Sequence, residues 1–233
     1  MDYYRHMFLA LLILLLLSSI ACSPNTSPVS SRPSPVSTRL VSPTPTLPAG
    51  TMLYQADWSH GLAGWQASDG WKVMNGVLQS TVGSKLSITI PYEPTVPNYA
   101  IEFRLQIANV PENGGFLTLS ADPTAGKDGY VATIFNLLKP GPRTSGLAPQ
   151  LTTLIDPENH MDTEDAQVRD YDPGSAWKAY RVEVSGPHMV FIIDDARLSQ
   201  AVSTRTDTLS QGPIHFLCGG VVLHISNFRI VAL

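Results

Sequence analysis

Two histidines near the C-terminus, His215 and His224, have a spacing that could bring their side chains together. They flank Gly219–Gly220, and if this dipeptide is a two-residue hairpin loop, the histidines face each other across two strands. Paired imidazoles on a sheet face can hydrogen-bond a sugar or bind a metal ion, although a metal needs a third ligand that the sequence does not identify. The alternative is that both are ordinary polar residues on a solvated face.

The apolar residues around the histidines predict which way the histidines point. Ile214, Phe216, Leu223 and Ile225 alternate with them, and burying each large apolar side chain contributes roughly 1.5 to 3 kcal/mol. We therefore expect the histidines on the face away from the core. Cys218 shares the apolar face and is predicted to be a buried free thiol that acts as a small hydrophobe.

Tryptophans and carboxylates supply the other candidate sites. Trp58, Trp65 and Trp71 could stack on a sugar ring, but tryptophan in a sheet is more often core. We expect Trp71 and Trp177 in the core and leave Trp65 open as a ligand-binding residue. Residues 156–173 are predicted to form an acidic loop. Its carboxylates are hard oxygen ligands for Ca²⁺, although they lack EF-hand spacing, and the alternative is a solvated surface loop. The candidate calcium ligands are Asp156, Glu158, Asp162 and Asp165.

The elements that would position these residues are short strands. Residues 177–233 contain five apolar or alternating segments closed by Gly, Pro or Asp, which is typical of antiparallel strands joined by tight turns. Asn75-Gly76 between two alternating segments predicts a type I′ hairpin, and residues 99–107 alternate Ile, Phe and Leu with charged or polar residues. No helix is predicted after residue 22, so the domain at residues 51–233 is expected to be all-β.

The first fifty residues predict export rather than a core. Residues 7–17 are an apolar run behind Arg5 and His6, which is too short for a membrane span and typical of a signal peptide at residues 1–21. Cys22 after Ala21 resembles a lipoprotein cleavage motif, whose cysteine is acylated and anchors the protein to a membrane. Ordinary cleavage and simple secretion remain the alternative. Residues 22–50 are rich in Ser, Thr and Pro and predict a disordered linker.

Composition excludes one class of partner. The net charge is −4, with 15 Lys and Arg against 19 Asp and Glu among 233 residues. Binding to a nucleic acid backbone needs a dense basic stripe, which the sequence lacks. No nucleic acid partner is therefore expected.

Five phrases in the sequence are similar to one known family. They are A-D-W-S-H-G-L-A-G-W with W-K-V-M-N-G-V-L, then W-K-A-Y-R-V-E-V-S-G with F-I-I-D-D, and the closing G-P-I-H-F-L-C-G-G-V-V-L-H-I-S-N-F-R-I. These phrases resemble the 3-keto-disaccharide hydrolase-like domains, which belong to the concanavalin-like, laminin-G-like jelly rolls. The resemblance implies an antiparallel jelly-roll β-sandwich, with the following residues as fold markers: Trp71, Gly76, Leu78, Ile225, Asn227 and Ile230.

Three function classes remain open at this point. The first is a non-catalytic glycan-binding or recognition module on a surface-tethered lipoprotein. The second, implied by the resemblance, is a hydrolase or lyase acting on 3-keto-disaccharides or related glycosides. The third is a structural or partner-binding envelope lipoprotein. No strand carries the carboxylate pair of a retaining glycosidase at period-two spacing, which favours the first class over the second.

Overall fold

The structure, a computed structural model, contains the strands that the sequence predicts. It describes residues 47–110, 114–137, 148–156 and 167–233. Cys22 lies outside the described residues, together with the predicted signal peptide and most of the linker. The same is true of Glu158, Asp162 and Asp165.

Fifteen strands are present within the described residues. They are β1 (Met52–Gln55), β2 (Gln66–Ala67), β3 (Trp71–Met74), β4 (Val77–Ser80), β5 (Leu86–Thr89), β6 (Tyr99–Asn109), β7 (Gly115–Ala121), β8 (Gly129–Leu137), β9 (Gln150–Asp156), β10 (Gln167–Asp170), β11 (Lys178–Ser185), β12 (His188–Ile193), β13 (Ala196–Val202), β14 (Ile214–Gly219) and β15 (Val222–Ala232). The one helical segment in these parts of the chain is a 3-10 turn at Trp58–His60. Within the described parts of the chain, no helical segment has both the length and the apolar composition that a membrane span requires.

The strands form two antiparallel sheets that pack face to face. Sheet A has the order β13-β12-β11-β6-β15-β4-β3, and β1 also pairs with β15. Sheet B has the order β10-β9-β8-β7-β14-β5-β2. The apolar side chains of both sheets meet between them and form the core.

Alternation along β6 shows how the sequence produces this arrangement. Ile101, Phe103, Leu105 and Ile107 are buried, whereas the charged and polar residues between them are partly or fully exposed, as predicted. Aromatic rings from both sheets join there, because Phe103 of sheet A meets Phe216 of sheet B edge to face with ring centroids 5.0 Å apart. Strand β6 therefore has one face that builds the core and one that is left for solvent or a ligand.

The Asn75-Gly76 hairpin is confirmed. It joins β3 to β4, with Met74 opposite Val77. Asn75 and Gly76 have φ angles of 52° and 71°, which are the two positive values of a type I′ turn. A short-range signal was sufficient here because the turn and its strands are adjacent in sequence.

The second predicted hairpin, at Gly219–Gly220, is wrong. Strand β14 already has β5 and β7 on its two sides in sheet B, and β15 belongs to sheet A. The dipeptide therefore carries the chain from one sheet to the other. A Cβ on Gly220 would lie 2.2 Å from the carbonyl oxygen of Gly114, and one on Gly219 would lie 2.4 Å from that of Ser84. Glycine occupies both positions because the crossing passes directly against neighbouring backbone.

The buried residues agree with the predictions except at one tryptophan. Cys218 and Trp71 are buried, as expected. Trp65 is also buried, at 9% exposure, with its ring 6.1 Å from that of Trp58. Trp177 was predicted to be core and is instead partly exposed beside His224 on sheet A. Side chains alternate between the two faces along β11, and Trp177 lies two residues before Ala179, which points outward. The buried side chains of β11 begin at Tyr180.

Candidate functional site

His215 and His224 do not form a pair, because the strands that carry them lie in different sheets. His215 lies opposite Thr89 and Ser120 in the strand register of sheet B, and His224 lies opposite Gln106 and Gln79 in that of sheet A. The alternation argument is confirmed for each strand, since both histidines lie between buried neighbours and are themselves only partly buried. The two imidazoles therefore mark opposite outer faces of the sandwich.

A bulge in β15 creates the more complex of these two faces. The register between β15 and β6 shifts between Ser226 and Arg229, and Asn227 has a φ of 53°. Residues 226 and 227 both point outward, after which Phe228 returns to the core. A bulge of this kind redirects side chains next to binding sites. Here it brings Asn227 and Arg229 to the same outer surface as Arg104.

A cleft of about 670 Å³ lies on this outer surface, and we call it the sheet A cleft. Strands β6, β11, β12 and β15 supply most of its lining. The lining residues are Gln55, Glu102, Phe103, Arg104, Ala179, Tyr180, Arg181, Ile192, Asp195, Asn227 and Arg229. Its volume is within the range of small-molecule sites in proteins.

Glu102 is the centre of an ion-pair network in the floor of the cleft. Its Oε1 accepts from Arg181, and its Oε2 accepts from Nε of Arg229 at 2.5 Å. Arg181 also donates through Nε to Glu183 at 2.6 Å. The Glu102 side chain is only 18% exposed. Two guanidinium groups therefore hold one carboxylate in place, which makes this part of the surface rigid.

One wall of the cleft continues into an aromatic and polar group of side chains. The guanidinium carbon of Arg104 lies 5.9 Å from the centroid of the Trp177 ring. The Trp177 ring lies 6.4 Å from that of His224. Nδ1 of His224 donates to Oε1 of Gln106 at 3.2 Å, and Nε2 of Gln106 donates to the carbonyl oxygen of Ser175 at 3.0 Å. Nε2 of His224 has no hydrogen-bond partner among the described residues, and can bond a ligand hydroxyl.

The opposite face has a smaller cleft around His215. This cleft has a volume of about 460 Å³. Nε2 of His215 donates to Oδ2 of Asp122 at 2.9 Å, and its Nδ1 lies 3.0 Å from the hydroxyl oxygen of Thr89. Tyr92 also lines this cleft, but its ring stacks on Tyr54 at 5.3 Å. Because the protein itself occupies both imidazole nitrogens, His215 has less capacity than His224 to bond a ligand.

The other predicted site residues have different outcomes. Trp65 is packed among Tyr54, Trp58 and Phe228 and provides no exposed platform. Of the predicted calcium ligands, Asp156 is buried at the end of β9, and the other three lie outside the described residues. No group of three or more metal-ligating side chains is present in the part of the chain that the structure describes. A calcium site in the acidic loop remains a prediction.

Arg104, Trp177 and Asn227 were not predicted as site residues. The alternation in residues 99–107 predicts that Arg104 faces solvent, which is correct but does not distinguish it from other surface residues. Two signals were available in the sequence. Trp177 is an even number of residues from the outward-facing side chains of β11. In β15, the alternating apolar residues change from odd positions, up to Ile225, to even positions, from Phe228. Such a change indicates a bulge inside a strand.

Comparison with known proteins supports the fold and gives no family. No protein-family model and no curated protein matches the chain. A Bacillus subtilis protein of unknown function with a galectin-like fold is 12% identical, with a TM-score of 0.57 over 79% of this chain and 97% of its own. The exoplasmic/lumenal domain of VIP36, in a Ca²⁺- and Man3GlcNAc-bound form, is 11% identical, with a TM-score of 0.54 over 77% and 90%.

A third similar structure is the carbohydrate binding module CBM66 from Bacillus subtilis. It is 13% identical, with a TM-score of 0.50 over 72% of this chain and 96% of that module. These likenesses confirm the predicted antiparallel jelly-roll β-sandwich and place it among lectin-like folds. The more specific resemblance to the 3-keto-disaccharide hydrolase-like domains is not confirmed.

Proposed function

We propose that this protein is an exported, membrane-tethered lipoprotein whose jelly-roll domain binds a glycan without turning it over. The observation that carries glycan binding is the partly exposed Trp177 ring, which contacts Arg104 of the sheet A cleft and lies 6.4 Å from the ring of His224. An aromatic face can pack on the C–H face of a sugar, while neighbouring polar groups bond its hydroxyls. Structures with this fold include a carbohydrate binding module and a domain bound to Man3GlcNAc, which supports the proposal.

Substitution of Trp177 by alanine tests glycan binding. The purified protein is first applied to a broad glycan array, and the affinity for its best ligand is then measured by calorimetry. A central aromatic anchor contributes about 2 kcal/mol or more, so Trp177→Ala should weaken binding roughly 30-fold. Since Trp177 is outside the core, the thermal unfolding midpoint of the variant should stay close to that of the original protein.

The two histidines provide a matched pair of variants that identifies the binding face. His224→Ala alters the sheet A face, and His215→Ala alters the opposite face. We expect His224→Ala to weaken glycan binding and His215→Ala to leave it unchanged. The reverse result would move the site to the His215 cleft. Absence of binding to any glycan on the array would refute the proposed function.

An assay for sugar hydrolysis distinguishes the proposed binding protein from a hydrolase. The protein is incubated with 3-keto-disaccharides and with the array ligand, and products are followed by chromatography. We expect no products. Release of free monosaccharide would instead support the hydrolase that the sequence resemblance implies.

The tether is tested at Cys22. Acylation of this residue would place the protein in the membrane fraction, because a lipid anchor adds apolar surface that associates with the bilayer. We expect Cys22→Ser to release the protein into the soluble fraction. Equal distribution of both forms between the fractions would favour simple secretion.

A further inference from the structure

We infer that the sheet A cleft takes an acidic glycan, whose sugars carry carboxylates, and that Arg104 binds the carboxylate. This inference rests on the proposed function and narrows its ligand class. Its basis is the arrangement of charges around the cleft, where one guanidinium group differs from its cationic neighbours in forming no ion pair with a described carboxylate.

The other cations around the cleft have acidic partners. Arg181 and Arg229 share Glu102. Lys178 lies 2.9 Å from a carboxylate oxygen of Asp194. Arg104 forms no ion pair with any carboxylate among the described residues. Its one direct contact among those residues is with an aromatic ring. Its charge acts on Asp194 only at longer range, as a smaller cause of the lowered pKa of that carboxyl than the hydrogen bonds from Ala179 and Lys178.

The strands on both sides of Arg104 keep its guanidinium group accessible. In the register of sheet A, Arg104 lies opposite Ala179 on β11 and opposite Ser226 on β15. Both neighbours are small and neither is charged, so neither covers the guanidinium nor bonds it. Arg104 is itself exposed and lines the cleft. A ligand in the cleft can therefore reach this group directly.

The Trp177 ring holds the guanidinium in place without using its hydrogen-bond donors. The distance of 5.9 Å from the guanidinium carbon to the ring centroid is within the range of a cation–π contact. Such a contact engages the π face of the ring and leaves the N–H groups of the guanidinium free to donate. Two parallel N–H groups match the two oxygens of a carboxylate. A sugar that packs on the part of the ring that Arg104 leaves exposed would lie beside these N–H groups.

The acidic residues near Arg104 do not compete strongly for it. Glu102 is held by two other guanidinium groups. Both carboxylate oxygens of Asp194 are occupied, by the backbone N–H of Ala179 and by Lys178. Asp195 lines the cleft but is not within ion-pair distance of any cation among the described residues. We therefore expect a carboxylate to be preferred to a neutral hydroxyl at Arg104, because only the carboxylate completes a charge-assisted pair.

The test compares each acidic polymer with a neutral form of the same polymer. The full chain with Cys22→Ser, which is expected to be soluble, is titrated with polygalacturonate, alginate and hyaluronate, and with their methyl-esterified forms. We expect at least one acidic polymer to bind about 10-fold or more tightly than its ester, because hydrogen bonds to charged groups are stronger than neutral ones. High salt should reduce this preference.

Variants of Arg104 assign the preference to this residue. Arg104→Gln should remove the preference for the acidic form, and Arg104→Lys should retain only part of it, because lysine lacks the planar fork. Arg197→Gln is the control, since Arg197 is an exposed arginine on β13 of the same sheet and lies outside the cleft lining. This control removes the same charge and should leave the preference unchanged.

The outcomes separate the inference from the proposed function. Equal binding of acidic and esterified polymers would overturn the inference, as would an equal loss in Arg104→Gln and Arg197→Gln. Binding of neutral glycans that depends on Trp177 would then leave the proposed function in place. Failure to bind any acidic or neutral glycan would refute both.

Discussion

Substitution of Gly220 by alanine tests whether the chain crosses between the sheets as the structure shows. In a two-residue hairpin loop, Gly220 would lie at the periphery with a positive φ and no close neighbour. In the structure it also has a positive φ, of 65°, but an added Cβ would lie 2.2 Å from the carbonyl oxygen of Gly114. Gly76 is the matched control, because its φ is 71° and nothing lies within 4 Å of its Cβ position.

The magnitudes of the two substitutions follow from these distances. A side chain in the left-handed region costs about 1 to 2 kcal/mol, and the loss of unfolded-state entropy offsets about 0.4 to 1 kcal/mol of this. We therefore expect Gly76→Ala to reduce the free energy of unfolding by about 1 kcal/mol. Gly220→Ala adds crowding against backbone, which costs about 1 to 3 kcal/mol, so its total should be about 3 kcal/mol.

Urea unfolding followed by tryptophan fluorescence measures both variants. With a slope of about 2 kcal/mol per molar urea, the midpoint of Gly220→Ala should fall by roughly 1 M more than that of Gly76→Ala. Gly219→Ala is a second test, since its Cβ would lie 2.4 Å from the carbonyl oxygen of Ser84. Equal losses in Gly220→Ala and Gly76→Ala would refute the crossing and favour the hairpin.

Three further predictions concern buried tyrosine and cysteine side chains. The Tyr99 hydroxyl donates to the carbonyl oxygen of Ser210, and the Tyr130 hydroxyl lies 2.9 Å from that of Tyr99. In urea unfolding, Tyr99→Phe should lower the free energy of unfolding by about 2 to 3 kcal/mol, because it leaves two buried groups unpaired. Tyr130→Phe should lower it by only about 1 kcal/mol. The opposite order would show that the hydrogen bonds run differently. Burial raises the pKa of the Cys218 thiol from 9.0 to about 11, so in a chain with Cys22→Ser a thiol reagent should label Cys218 only on unfolding. Because the unfolded thiol ionises first, stability should decline as pH rises from about 9 towards 11, and Cys218→Ala should lack this component; rapid labelling of the native protein would contradict the burial.

The fold could be predicted where one local signal decided the outcome. The alternation of Ile101, Phe103, Leu105 and Ile107 identifies the buried face of β6, because a slip by one residue would expose all four. The Asn-Gly turn is equally local. By contrast, a Gly-Gly dipeptide looks the same in sequence whether it forms a hairpin or carries the chain between sheets. Which of the two occurs depends on the distant strands that already occupy both sides of β14.

Strand β10 was missed for a related reason. The acidic, irregular sequence of residues 156–173 predicts a loop that includes Gln167–Asp170. The one apolar residue of this strand, Val168, is 54% exposed in the structure. The segment pairs with β9 at the edge of sheet B, where its backbone hydrogen bonds rather than burial make it a strand. Charged and polar residues are typical of edge strands, so hydrophobic periodicity could not reveal it.

The candidate site was harder to predict than the fold because the outward residues are not constrained by the core. Burial selects the apolar residues of β6, β11 and β15, and many polar residues would satisfy the other face equally well. The outer face instead carries large side chains that contact one another, since Glu102 pairs with two arginines and Arg104 packs over Trp177. Ordering such side chains costs conformational entropy that a plain solvated surface would not require. The bulge at Asn227, which a regular strand would lack, adds to this arrangement. Because the core explains none of these features, they support the binding role that we propose for the outer face of sheet A, independently of the fold that this domain shares with lectin-like proteins.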